Sequence, residues 1–315
     1  MSQNKPTISR LHIKAVLQAL FVTFLWSTSW VLIKIGLQAS LPAITFAGLR
    51  YSLAFLCLIP FVLINPAHRS TIHTFSRTTW TQLILLGIVF YSLTQGAQFI
   101  SLSFLPAATL NLLLNLSPIF VALSSGFLNK ESPSAIQWGG ITISTIGAIV
   151  YFFPLNIPAG QIFGLAVAFI GILANSGSSL LGRQVNHQSG LSPVLITSIS
   201  MGIGGLLLLV VGAATQGFGH PDLAQWFIIG WLAIVNTAVA FTLWNNTLRT
   251  LTAVESSIIN NTMLPQIAIL AWLFLGEPLT AGQILGIVLV GVGTLIVQLW
   301  RQLPGSAKST AIKPE

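Results

Sequence analysis

Ten times along this chain an apolar run near the length that crosses hydrocarbon, about 20 residues, gives way to a short polar joint. That recurrence limits the fold more than any other feature. The runs cover 15–37, 43–64, 80–101, 105–128, 134–153, 160–181, 192–214, 226–248, 252–275 and 280–300. A backbone crossing hydrocarbon must satisfy its own hydrogen bonds, which leaves helices or a closed barrel. Continuous stretches such as 141–150 and 204–211 do not alternate between apolar and polar residues, so they exclude barrel strands. Prolines such as Pro42, Pro66, Pro154, Pro158, Pro193, Pro221 and Pro278 punctuate the joints. The first run is too long for a signal peptide core and no cleavage site follows it, so it reads as a retained membrane helix.

Composition agrees. Charged residues make up 6% of the chain and apolar residues 54%, against about 25% charged in soluble domains. The net charge of +8 is scattered between apolar blocks, which argues against a nucleic-acid partner. Cys57 is the only cysteine, and His12, His68, His73, His187 and His220 all fall outside the runs. No disulfide framework, metal site or cofactor is expected.

Loop charges orient the runs. With the N-terminus inside, the inward regions hold Lys5, Arg10, Lys14, Arg69, Arg77, Lys130, Arg183, Arg249, Arg301, Lys308 and Lys313. The outward loops 38–42, 102–104, 154–159, 215–225 and 276–279 hold no Lys or Arg. Such asymmetry sets membrane orientation, and it needs all ten spans. The expectation is a multi-pass protein of the cell membrane (plasma or inner), with both termini cytoplasmic. The bilayer is its main partner, and no obligate protein partner is implied.

The chain also repeats. Leu105-Pro-Ala107 through Asn115 aligns with Leu251-Thr-Ala253 through Asn261, and Pro118 corresponds to Pro265 after a one-residue slip. Gln137, Gly140 and Gly147 then match Gln283, Gly286 and Gly293, and the stretch from Leu25 to Lys34 lies over that from Ala174 to Arg183. Each half has five helices, so the second enters the membrane upside down. The expected fold is an all-α membrane protein of ten transmembrane helices in two inverted five-helix repeats. It divides into an N-terminal cytoplasmic tail (1–14), a first repeat (15–153), a second (160–300) and a C-terminal cytoplasmic tail (301–315). Inverted repeats are typical of alternating-access transporters, with the cargo between the halves near the midplane.

Trp26-Ser-x-Ser-Trp30 ending in Lys34 resembles the opening helix of the EamA-type transporters of the drug/metabolite transporter superfamily. So do the Ala-rich start, mid-helix Pro and terminal Glu of Ala107…Pro118…Glu131 and Ala253…Pro265…Glu277. The first copy departs from the pattern with Asn129-Lys130 where Gly276 precedes Glu277, and Asn175 stands where the first half has Trp26. The resemblance spans about residues 15–300. It implies a ten-helix fold and, in many members, export of amino acids or other metabolites.

Polar groups inside the spans are the candidate cargo contacts, weighed in each case against helix–helix hydrogen bonding. Asn111 and Asn115 share one helix face, and the repeat superposes them on Ser257 and Asn261. Tyr91, Gln95 and Gln98 share a face of the third helix, where an aromatic ring and amides suit a neutral or zwitterionic solute. Trp26 and Trp30 lie mid-helix and either pack or line a cavity; Asn175 is the second-half counterpart of the former. Arg50 lies inside the second helix with Met201 as its repeat partner, so it either contacts an anion or snorkels outward. Pro118 and Pro265 would bend matched helices and act as gates. Lys34 and Arg183 end helices, where a cation complements the dipole. Glu255 either pairs with Arg249 or takes a coupling proton, and Glu131 and Glu277 orient turns.

Among functions, transport of a small-molecule metabolite fits best. A membrane-embedded enzyme would need His or paired Asp residues within the spans, and none are there. A receptor or channel without a transport cycle is the alternative.

Overall fold

The computed structural model describes residues 10–39, 41–129, 134–154, 157–188, 191–247, 250–251 and 253–300. Among these residues all regular structure is helical. Ten helices have the length and hydropathy of a membrane span: α1 (Leu11–Gln38), α2 (Ala43–Ile64), α3 (Arg77–Phe104), α4 (Ala107–Ser124), α5 (Ala135–Phe152), α6 (Ala159–Gly182), α7 (Pro193–Gln216), α8 (Leu223–Trp244), α9 (Ile258–Leu275) and α10 (Ala281–Leu299). Large apolar side chains such as Leu17, Phe61, Phe163, Val210, Phe227 and Phe274 stand exposed on their outer faces. An apolar surface that extensive needs lipid to cover it.

The helix ends follow local chemistry that hydropathy does not register. Ser76 Oγ accepts from the Thr79 N–H at 3.1 Å, so α3 begins three residues before its apolar run. Asp222 and Gln225 form a capping box that opens α8 three residues before its apolar run, and at α5 the Ser134–Gln137 box falls at the start of the run itself. Between α2 and α3 a short exposed helix, Pro66–His73, occupies a segment read from sequence as loop; Asn65 caps it and Pro66 opens it.

Helices α5 and α10 form the most extensive helix pair, followed by α2 and α7. Glycines let the first pair touch along the backbone. A Cβ at Gly140 would lie 2.7 Å from the Gly293 carbonyl oxygen, and one at Gly286 would lie 2.7 Å from that of Gly147. Helix α1 crosses to lie against α8 and α9, and α6 lies against α3 and α4.

Four spans are irregular. Helix α3 widens to a π-helix over Gly87–Thr94 and α8 does so over Ile234–Val239. The hydroxyls of Thr94 and Thr237 each donate to the carbonyl five residues back, Val89 at 2.9 Å and Leu232 at 2.8 Å. Helix α4 breaks at Asn115 and Leu116 before Ser117-Pro118, and the helical path into α9 breaks at Thr262 before Pro265. Proline removes the N–H that would bond four residues back. Ser117 Oγ donates to the Leu114 carbonyl that this frees, at 2.7 Å. Non-regular backbone at membrane depth persists only where protein or a water-filled cavity satisfies it.

Candidate functional site

A cavity of about 270 Å³ lies among α3, α6, α7 and α8, walled by Leu86, Phe90, Tyr91, Ser178, Ser179, Gly182, Thr197, Ser200 and Phe241. Its lining sits toward the helix ends that carry the Lys- and Arg-bearing loops, and Tyr91 marks its deepest point, midway along α3. Serine and threonine hydroxyls on one wall and aromatic rings on the other suit a small amphipathic solute. Helix α7 takes part in this wall, a place that the sequence did not indicate. The cause is the crossing of α3 and α7: a Cβ at Gly204 would collide with the Gly87 carbonyl, and one at Gly87 would lie 2.7 Å from the Ser200 carbonyl oxygen. Ser92 Oγ adds a hydrogen bond to the Gly204 carbonyl at 3.0 Å.

Beyond Tyr91 stands a polar group built on α2. The ring of Tyr51 is 5.5 Å from that of Tyr91, and its hydroxyl donates to Gln95 Oε1 at 2.7 Å. The Arg50 guanidinium lies over the Tyr51 ring at 5.1 Å, and its Nε–H donates to Thr237 Oγ1 in the π segment of α8 at 3.2 Å. Arg50 is 5% exposed. Snorkelling, one of the two sequence readings, does not occur; the side chain points across the bundle to the other half of the chain. In the same π segment Asn236 is fully buried, and its Nδ2–H donates to the Leu25 carbonyl and to Thr28 Oγ1 of α1. Sequence reasoning passed over Asn236 and Thr237, since one Asn-Thr pair in an apolar run does not reveal a widened turn.

The remaining sequence candidates mostly bridge helices. Asn111 donates to the Leu264 carbonyl of α9 at 3.3 Å, and Asn115 Nδ2 reaches back to the Asn111 carbonyl and Oδ1 at 2.9 and 3.0 Å. Asn175 donates to Ser117 Oγ at 3.0 Å, beside the α4 break. Asn261 turns away from this group toward Gln298 Oε1 of α10 at 3.2 Å. With Pro265 it borders a second, apolar crevice of about 310 Å³ between α9 and α10, whose Val288 and Val292 face lipid. The α9 face toward α1 is taken by Thr262 and Gln266 instead: Ser27 Oγ donates to Gln266 Oε1 at 2.9 Å. Trp26 packs on Phe241 and Trp244 at ring distances of 5.4 and 5.2 Å, next to the cavity. Trp30 is buried in the main apolar cluster. The side chain of Ser257, like Glu131, lies outside the described residues.

Among the described residues, the opposite end of the bundle is closed by packed side chains. Trp30, Ile33, Phe46, Phe99, Leu102, Leu105 and Leu110 belong to one buried cluster there. Lys34 Nζ donates to the Leu102 and Leu105 carbonyls, both at 2.7 Å, so it closes the end of α3 and does not snorkel. Glu277 accepts the Ala107 N–H at 2.8 Å and so caps α4 of the other half, not merely its own turn. Burial pushes the Glu277 carboxyl above the usual carboxylate range, against the pull of the Ala107 and Ala108 N–H groups and of Lys34. At the other end His12 Nε2 and Glu255 Oε1 stand 2.9 Å apart, an ion pair when His12 is protonated that ties α1 to the start of the ninth helical path. The expected partner of Glu255, Arg249, lies outside the described residues.

Known proteins resemble this chain. The chain is 25% identical to the uncharacterized transporter YvbV of Bacillus subtilis, over 88% of this chain and 89% of that one. It is 23% identical to the S-adenosylmethionine/S-adenosylhomocysteine transporter of Chlamydia trachomatis serovar L2, over 87% and 86%. Protein PecM of Dickeya dadantii is 27% identical over 69% of this chain and 73% of its own. A crystal structure superposes with a TM-score of 0.65 over 91% of this chain and 98% of that one; at 17% identity the likeness shows the fold alone. The EamA-like transporter family matches twice, over residues 13–153 and 159–299. With both matches together spanning nearly the whole chain, this protein belongs to the EamA-like transporter family and is a transporter of small organic molecules, not an enzyme.

Proposed function

We propose that this chain is a secondary transporter that exports small organic metabolites, amino acids or related compounds, by alternating access between two inverted five-helix halves. The carrying observation is the asymmetry of the bundle: a cavity enters from one side as far as Tyr91, and the other side is closed by the Lys34–Glu277 group and its apolar cluster. With the Lys- and Arg-bearing side cytoplasmic, this is an inward-facing state, and both terminal tails are cytoplasmic.

Reciprocal contacts support the inversion. Gly140 and Gly286 are sequence equivalents, as are Gly147 and Gly293, and the close approaches are Gly140 to Gly293 and Gly147 to Gly286. That crosswise pattern is what a two-fold axis produces. The π segments of α3 and α8 and the proline breaks of α4 and α9 also recur at equivalent places. Discontinuous helices near the midplane are where transporters of this kind place their cargo.

In this reading Trp26, Tyr91, Gln95, Arg50 and Asn175 contact cargo at successive stages, with Trp30 behind them. Asn111, Asn115, Ser257 and Asn261 flank the breaks at Pro118 and Pro265, which hinge the gates. Glu255 couples through its tie to His12. The Chlamydia relative's named cargo lends support to a metabolite that carries an amino-acid group. The test is counterflow in proteoliposomes with a panel of amino acids and nucleoside-containing metabolites. Saturable exchange of at least one of them is expected; a protein that exchanges none contradicts the proposal. Replacing Asn115 or Asn261 should lower exchange more than membrane abundance, and equal losses would assign them to helix packing.

A further inference from the structure

Arg50 is a cation buried about a third of the way along a membrane span, and such a charge is costly unless something answers it. Its guanidinium carries five N–H donors, and among the described residues one of them is used, by Thr237 Oγ1. The described residues hold three carboxylates: Asp222 caps α8, Glu277 caps α4 and Glu255 pairs with His12. None pairs with Arg50. The Tyr51 ring under the guanidinium holds its plane but does not neutralise it.

Everything around Arg50 fixes its direction. Thr237 sits on a π turn that its own hydroxyl pins to Leu232, so the acceptor for Nε is held at a set place in α8. Tyr51 is held in turn by Gln95 and by the edge of Tyr91. A guanidinium held by its Nε and one face keeps its two terminal nitrogens as a planar fork, which matches a carboxylate bidentately. Tyr91 walls the cavity on one side and meets Tyr51 on the other, so the two rings stand between the cavity and Arg50.

Resting on the transporter reading above, we propose that Arg50 is the anion receptor of the transport site and that the cargo carries a single carboxylate. Tyr51 and Tyr91 form the gate through which that group reaches Arg50 from the cavity. One fixed cation answers one negative charge, so a monocarboxylate or a zwitterion fits, and a neutral solute leaves Arg50 unanswered. The contact joins the halves: Arg50 comes from the first and Thr237 from the second, so the anion binds where the two must move relative to one another.

The test uses the full-length protein purified in detergent and matched pairs that differ only at the carboxyl group: leucine and leucinamide, phenylalanine and phenylalaninamide, 2-oxoisocaproate and its amide. Thermal unfolding reads binding, and proteoliposome counterflow reads movement. At least one carboxylate should raise the unfolding midpoint of the wild type where its amide does not. Arg50→Gln should weaken that response by about ten- to a hundredfold, the scale of a lost charge-assisted hydrogen bond. Arg50→Lys should keep the preference for the carboxylate with weaker binding. If Arg50→Gln does not fold, Thr237→Val, which frees the fork without removing it, should reduce the carboxylate response alone. Equal responses to each acid and its amide, or no response to any carboxylate, overturn the proposal. So does an Arg50→Gln protein that responds as the wild type does. Saturable movement of neutral solutes without carboxylate preference would overturn the anion site and leave transport standing. Carboxylate binding without movement would do the reverse.

Discussion

At the scale of single residues, the half-buried Glu277 and the buried Asn236 tie the halves together, and each makes a distinct prediction. Glu277 has a carboxyl pushed above the usual range by burial, so the folded protein binds its proton more tightly than the unfolded chain does. Stability therefore falls as pH rises from the ordinary carboxylate value to the raised one, and acidification through that window recovers it. Glu277→Gln should flatten this part of the pH–stability curve, measured as unfolding midpoint against pH beside the wild type. Asn236 joins α8 to α1 through the Leu25 carbonyl and Thr28. Asn236→Ala should cost about 1–3 kcal/mol, the scale of a broken buried hydrogen bond, read by denaturation in detergent. How much of this was legible beforehand differs by residue. Arg50, Tyr91 and Gln95 stood out because polar groups are rare in apolar runs, and they come together around Tyr51. Tyr51 itself was missed because it adjoins Arg50 in sequence and carries no periodic signal. Lys34 and Glu277 were seen as helix-end residues, but their partners lie 68 to 170 positions away and no local rule names them.

At the scale of helices, hydropathy found all ten spans because each sums many small transfer terms. Their ends escaped it where Ser76 and Asp222 extend helices by capping. The prolines announced the breaks in α4 and α9; nothing comparable announced the π segments, which depend on threonine hydroxyls bonding five residues back. The place of α7 in the cavity wall was equally hidden, since it rests on two glycines in different helices meeting at one crossing. Gly204→Ala should push α7 off α3 and cost about 1–3 kcal/mol, as overpacking of a tight contact does. Its unfolding midpoint checks this, and Gly139→Ala, with open space around the position, is the control that should change little.

For the whole molecule, the central claim is that one bundle offers its cargo site to one side at a time. The cavity at Ser179 and Thr197 lies toward the Lys- and Arg-bearing side, and Ser101 is fully buried in the seal at the other. A channel would open both ends together, and a receptor would need neither to change. The most direct test labels Ser179→Cys and Ser101→Cys, each in a Cys57→Ser background, with a membrane-impermeant maleimide applied from either side of oriented vesicles. Without cargo, Ser179→Cys should react from the Lys- and Arg-bearing side and Ser101→Cys should be protected. A gradient of an exchanged solute should move the two reactivities in opposite directions. If both positions react together, or if neither responds to a solute that the protein exchanges, alternating access is contradicted.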